Sequence, residues 1–301
     1  MTMIMAQFDK TTLNLSKNIK ISALAAVKLH PDEYKNIIKV AGTDLYKEQI
    51  MRYEGPGAAA IKSELGKAVQ TEVKEGYVET ILQEDYYFEM PVSRKQRAYA
   101  QKSINFVNLL GSYLTRSMKL RYEYVGIAPL NNGYSASYAG GDGKAYFAAD
   151  HSFKVGGTYS NLLDNAALSK EKLETMYTVV AQAVVENDIP GAFIPRKINI
   201  GTSNIINLDE ILKSVKDPET ANNTYNVVQD WKLIKNLNHY KSDPNSYEVD
   251  TDVNTRTLYE SMKPIADQYM DDPSDCLVER IKAALGSGFH DQASTFGSQG
   301  S

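Results

Sequence analysis

Between residues 78 and 90 the chain alternates. Val78, Thr80, Leu82, Tyr86, Phe88 and Met90 recur at every second position, with Glu84 the one polar member. Glu79, Gln83, Asp85 and Glu89 occupy the other parity. Side chains two apart share one face of a strand, so this pattern predicts a β-ribbon with one apolar side. Val69, Thr71 and Val73 repeat the rhythm upstream of Lys74, Glu75 and Gly76. Together the two runs predict a long hairpin over residues 66–90 that turns at the glycine. A lone hairpin is marginal in water, so one this long must lie on something.

Past Pro91 the period changes. Ser93 and Gln96 have the spacing of a capping box, and Tyr99, Phe106, Leu110, Tyr113, Leu114 and Met118 follow at intervals of three and four. A helix from residue 94 to about residue 119 is predicted, roughly 40 Å long at 1.5 Å per residue. Gly111 weakens it by about 1 kcal/mol relative to Ala. A second helix starts at Ser169, carries Leu173, Met176, Tyr177, Val180 and Val184 on one face, and stops by Pro190. "PDEYKNIIKVAG" reads as a further helix with Pro31 in its first turn. The 25 residues that open the chain lack periodicity and read as an extended arm. "RKINIGTS" reads as a strand, "NLDEILKSV" as a short helix and "TRTLYESMKPIADQYM" as a helix. The whole reads as one α+β unit.

Composition narrows the function classes. At 301 residues with 43% hydrophobic and 23% charged residues, the chain can bury a substantial core. Its net charge is −4 and no run of five Lys or Arg occurs, which argues against strong nucleic-acid binding. Cys276 is the only cysteine, so no intrachain disulfide can form. The opening "MTMIMAQFDK" predicts no secretory signal, and no apolar run approaches the roughly 20 residues of a membrane span. Twenty Tyr against eight Phe and one Trp suit half-buried contact surfaces, where an apolar ring carries a polar tip, and equally suit a Tyr-rich proteome.

No reactive constellation emerges. "GGDGKAYF" resembles a phosphate loop, but Tyr138 stands where that loop needs its first Gly and Ala145 where it needs a hydroxyl. Asp150 and His151 are adjacent, and neighbours in a strand point to opposite faces, so a structural or solvated histidine is expected. Glu84 with Asp85, Asp250 with Asp252, and Asp271 with Asp272 lack the glycine and closing Glu of a calcium loop and read as solvated charge. Cys276 has no signature of a reactive thiol. The expectation is a protein that is not an enzyme and holds no cofactor or metal. Its candidate interface residues are Val78, Leu82, Tyr86 and Phe88 on the apolar side of the ribbon.

The order of motifs points further. "DGKAYFAADHSFKVGGTYSNLL" followed by "LSKEKLETMYTVVAQ" resembles the Mu-like major head subunit (major capsid protein) family of tailed bacteriophages. The resemblance lies in Gly143, Tyr146-Phe147, His151, Gly156-Gly157, Ser160-Asn161 and Leu168-Ser169, with Asp291 and Gly297 near the end. It covers about residues 90 to 301. The chain lacks the aromatic-Arg pair usual after that Asp. The resemblance implies an α+β Hong Kong 97-type capsid fold, divided as an N-terminal arm (1–50), an extended hairpin loop (51–92), the spine helix and peripheral domain (93–190), a mainly axial domain (191–270) and a returning segment (271–301). It implies self-assembly into the hexamers and pentamers of an icosahedral head around double-stranded DNA. The implied partners are a portal protein and scaffold or decoration proteins, without a membrane. The implied location is the virion, after synthesis in the bacterial cytoplasm. Two other readings stay open: an encapsulin-type compartment of the same fold, and a two-lobed cytoplasmic hydrolase or transferase.

Overall fold

The computed structural model describes residues 32–55, 59, 61–62, 64, 66–67, 72–96, 104–216 and 225–300, the side chains of 104–109 excepted. The readings placed on residues 1–31, Val69, Thr71, Tyr99 and the Phe106 side chain lie outside the described residues.

Two four-stranded sheets form the body. The first has the order β1-β10-β11-β4, from β1 (Lys39–Gly42), β4 (Glu84–Ser93), β10 (Arg256–Asp271) and β11 (Cys276–Phe289). The second has the order β12-β9-β7-β8, from β7 (Pro195–Ile200), β8 (Ile234–Leu237), β9 (Tyr247–Thr251) and β12 (Thr295–Ser298). A two-stranded ribbon joins β2 (Lys47–Glu54) to β3 (Lys74–Leu82), and β5 (His151–Ser152) pairs with β6 (Thr158–Tyr159).

The long helix α1 (Ile104–Asn131) lies on the first sheet. Its 28 residues span about 42 Å. Leu114, Met118, Tyr122 and Val125 recur at helical spacing and bury against Leu258, Ile281, Ala283 and Leu285 of β10 and β11. The helix ends beyond the predicted residue 119, past an internal Pro129 in its last turn. Residues 94–96 are helical, and their start is the expected capping box: Gln96 N–H donates to Ser93 Oγ at 3.2 Å and Ser93 N–H to Gln96 Oε1 at 2.9 Å.

The second sheet is covered by α2 (Lys170–Gln182) and α3 (Ile205–Lys213). Leu173, Met176 and Val180 from one helix meet Leu208 and Ile211 from the other over Ile198, Ile200, Tyr247 and Val249. Ser169 caps α2 by accepting the Lys172 N–H. Between the two sheets, Ile37, Ile127, Leu130, Tyr146, Phe147 and Phe289 form a third cluster.

Three expectations change. "PDEYKNIIKVAG" is a four-residue 3-10 turn, Glu33–Asn36, followed by β1 rather than one helix. "TRTLYESMKPIADQYM" is strand β10, whose antiparallel partner is β11. The hairpin predicted within 66–90 is built differently: the partner of β3 is β2, with Lys47 opposite Leu82 and Glu54 opposite Lys74. Gly76 therefore lies inside β3, and Gln83 divides the alternating run into β3 and β4, the second pairing with β11.

Candidate assembly surface

The β2–β3 ribbon has an inner and an outer side, and the inner side is polar at its ends. Glu54 is buried, and its carboxylate accepts the backbone N–H groups of Lys154 at 3.1 Å and Val155 at 2.7 Å. Arg52 donates through Nη1 to Asp291 at 2.6 Å and through Nη2 to Glu186 at 2.8 Å, with its guanidinium 4.9 Å from the Phe153 ring centre. The Tyr77 hydroxyl lies 3.4 Å from Ser152 Oγ. Glu79 accepts the Gly141 N–H at 2.8 Å and the Gln292 amide at 3.2 Å. Burial raises the Glu79 carboxyl above its ordinary range, with Asp142 pushing the same way and the two hydrogen bonds opposing.

Two glycines permit this approach. A Cβ on Gly141 would stand 2.5 Å from the Val78 carbonyl oxygen, and one on Gly286 2.2 Å from that of Leu82. Both neighbours are backbone and cannot swing away. The long hairpin is expected to lie on something, and its described strands dock on their own body.

The four predicted interface residues separate. Leu82 (53% exposed) and Phe88 (39%) present apolar surface to solvent. Val78 is half-buried opposite Met51 in the ribbon. Tyr86 is half-buried against the α1 cluster, with Arg121 4.6 Å from its ring centre, and burial first, then the Glu84 carboxylate, raises its phenol to about 12. The predicted solvent-facing side is partly reversed: Glu79 and Gln83 are buried, as is Ile81 between Thr80 and Leu82. Tyr46 just before β2, Tyr53 on β2 and Tyr87 on β4 are also exposed. A cleft of about 480 Å³ opens where the ribbon meets α1, lined in part by Leu82, Glu84, Tyr86, Arg121, Tyr124 and Tyr138.

The first sheet carries charge on the face opposite α1. Arg280 grips Asp267 with two bonds of 2.8 Å and lies 3.7 Å from Glu89, while Lys282 reaches Asp267 at 3.1 Å. These bonds, Arg280 first, hold the Asp267 carboxyl near 2.

The glycine-rich segment 141–161 serves construction. His151 is buried, its Nδ1 2.6 Å from Asp142 and its Nε2 3.3 Å from the Tyr146 carbonyl, and it stacks on Tyr159. Asp150 is exposed and pairs with Lys144. Asn161 is buried, accepting the Ala148 N–H and donating to the carbonyls of Tyr146 and Gln292. Asp250 corrects the solvated-charge reading. It is buried, receives Arg256 at 2.6 Å and Asn199 at 2.8 Å, and so ties the second sheet to the start of β10. Its neighbour Asp252 is exposed, as are Glu84, Asp85 and Asp272. Cys276 is half-buried at the β10–β11 turn. Among the described residues no group of three or more His, Cys, Asp or Glu converges to hold a metal ion, and no helix is long and apolar enough to cross a membrane.

Arg52, Glu54, Glu123 and the Asp250–Arg256 pair carry no local signal in the sequence. Their partners lie from 6 to 239 positions away.

Solved structures share this architecture over most of the chain. A chain of Mycobacterium phage Cain aligns over 90% of this chain and 91% of its own, at a TM-score of 0.58 and 8% identity. A subunit of the capsid of an empty GTA particle aligns over 88% of both chains, at 0.53 and 9% identity. The chain has the Hong Kong 97-type capsid fold. A virus-like particle from Pyrococcus furiosus shares this capsid fold too, over 94% of this chain and 98% of its own, at 0.52 and 10% identity. No family model and no curated protein matches the sequence.

Proposed function

We propose that this chain is the major capsid protein of a tailed bacteriophage, assembling into an icosahedral head that encloses double-stranded DNA. The observation that carries this reading is the near end-to-end match to a phage chain and to a GTA capsid subunit, with little of either chain left over for a separate activity. In this reading the arm, read as 1–50, ends before β2, and the extended loop, read as 51–92, is the β2–β3 ribbon with the residues between its strands, since β4 belongs to the first sheet of the body; 93–190 hold the spine and peripheral domain, 191–270 mainly the axial domain, and 271–301 the returning segment. Each copy touches several others, so modest contacts multiply through effective concentration. Burial of apolar side chains such as Leu82 and Phe88 contributes roughly 25 cal/mol per Å² before association costs. The net charge of −4 suits a wall that does not glue packed DNA in place. A portal protein, scaffold or decoration proteins, a virion location and synthesis in the host cytoplasm belong to this proposal.

A second reading is a compartment of the same fold that encloses protein cargo, since a virus-like particle from Pyrococcus furiosus shares the fold. Expression of the chain with its neighbouring phage genes, followed by negative-stain microscopy and nuclease treatment, separates the readings. Closed shells with nuclease-protected DNA support the head. Shells that hold protein and no DNA support the compartment, and a small oligomer defeats both.

A further inference from the structure

We propose that Arg52 is the clamp that fixes the angle at which the β2–β3 ribbon leaves the body, and so decides where its far end meets the next copy. The inference rests on the shell reading. Three separate body segments converge on this one side chain. Phe153 follows β5, Glu186 belongs to the turn after α2, and Asp291 caps the turn before β12 by accepting the Ala293 N–H at 3.0 Å. The guanidinium is one-fifth exposed and engages all three at once: a carboxylate on each of two nitrogens and a ring at its face.

The same end of the ribbon is fixed at two further points. Glu54 lies in the backbone N–H pair of Lys154 and Val155, and the Asn187 amide donates to the Gly55 carbonyl at 3.1 Å. These are carboxylate and carbonyl acceptors, so Arg52 supplies the positive charge among Glu54, Glu186 and Asp291. Without it, Glu186 and Asp291 lose a shared counter-charge and repel at the point where the ribbon must seat. A lysine restores charge but cannot present two nitrogens in a planar fork. Residues 56–72 join β2 to β3 in the chain next to this end, so the seating of the ribbon at the clamp sets the position from which that connection starts.

The test compares wild type, R52K and R52M, by amide hydrogen exchange on soluble subunits and by particle diameter in micrographs. For R52M, which removes both charged hydrogen bonds, exchange at Lys47–Glu54 is expected to quicken at least about tenfold. Exchange in β7 and β9 should hold, and particles should broaden in diameter or stay open. R52K should fall between. Unchanged ribbon exchange, or R52M shells as uniform as wild type, overturns the proposal. If R52M does not fold, E186Q removes one of the two carboxylates and must quicken the same amides; no change there also overturns it. Failure of the wild-type chain to form particles would sink the shell reading, and the exchange measurement would still judge the clamp.

Discussion

Glu123 projects from α1 and receives the backbone N–H groups of Glu33 and Tyr34, both at 2.9 Å. Burial lifts its carboxyl to about 7, the two N–H groups resist, and Glu33 and Asp32 add to the rise. In the unfolded chain the group titrates near 4.5. The folded state therefore holds the extra proton between about pH 4.5 and 7, and stability falls as pH rises through that window. Glu79 and Glu248, both raised by burial, act with the same sign. Asp267 acts the other way, and its contribution is lost only as pH drops from about 4 toward 2. E123Q should lower the melting temperature throughout, because its amide nitrogen faces an N–H donor, and should flatten the slope between pH 5 and 8. An unaltered slope would assign the pH response to other groups. Glycine positions give a paired test. G286A forces a Cβ onto the Leu82 carbonyl and should cost about 1–3 kcal/mol in urea unfolding. G42A meets nothing within 4 Å and should be neutral or slightly stabilising.

At the scale of elements, Ile81 and Leu82 are neighbours in β3 with opposite fates. Ile81 is 4% exposed, so I81A should destabilise the isolated subunit by about 2–5 kcal/mol. L82D and F88D change exposed side chains, so they should leave subunit melting within about 0.5 kcal/mol of wild type and suppress shell formation. Sedimentation together with thermal melting reads both. Normal shells from L82D and F88D would remove these residues from the interface. The strand alternation was legible but not which side is buried, since the inward parity is that of Glu79 and Ile81 in β3 and of Tyr86 and Met90 in β4; the capping box at Ser93 was legible because it is local. The partner of β3 was not, because Lys47 and Leu82 meet across 34 intervening residues. Strand β10 read as a helix for a physical reason. Leu258, Met262, Ile265 and Tyr269 happen to fall at intervals of three and four, while most of the strand beyond Glu260 is exposed or half-exposed and no buried face enforces alternation. Two register shifts, between Glu260 and Met262 and between Met262 and Ile265, break the parity further and accommodate Pro264, which has no N–H to give the ladder. The buried charges were illegible too, since Glu54 and Asp250 differ from solvated acids only in what the fold brings to them.

For the whole molecule, the shell reading requires that part of the extended loop be dispensable to the subunit and indispensable to the assembly. The structure sets where that division falls. Cutting into β3 would remove Glu79 and Ile81, both buried, and damage the body itself. Residues 56–72 follow Arg52 and Glu54 in the chain, and Ile61 among them is fully exposed among the described residues. Glu54 and Lys74 face each other in the ladder, so Asn-Gly placed between Gly55 and Val73 can close the ribbon as a short hairpin. The shortened chain should melt within a few degrees of wild type and keep the protected amides of β2 and β3. It should also fail to form closed shells, because the segment that would reach the next copy is gone. Closed particles of wild-type size from the shortened chain would mean that copies hold together through the bodies alone.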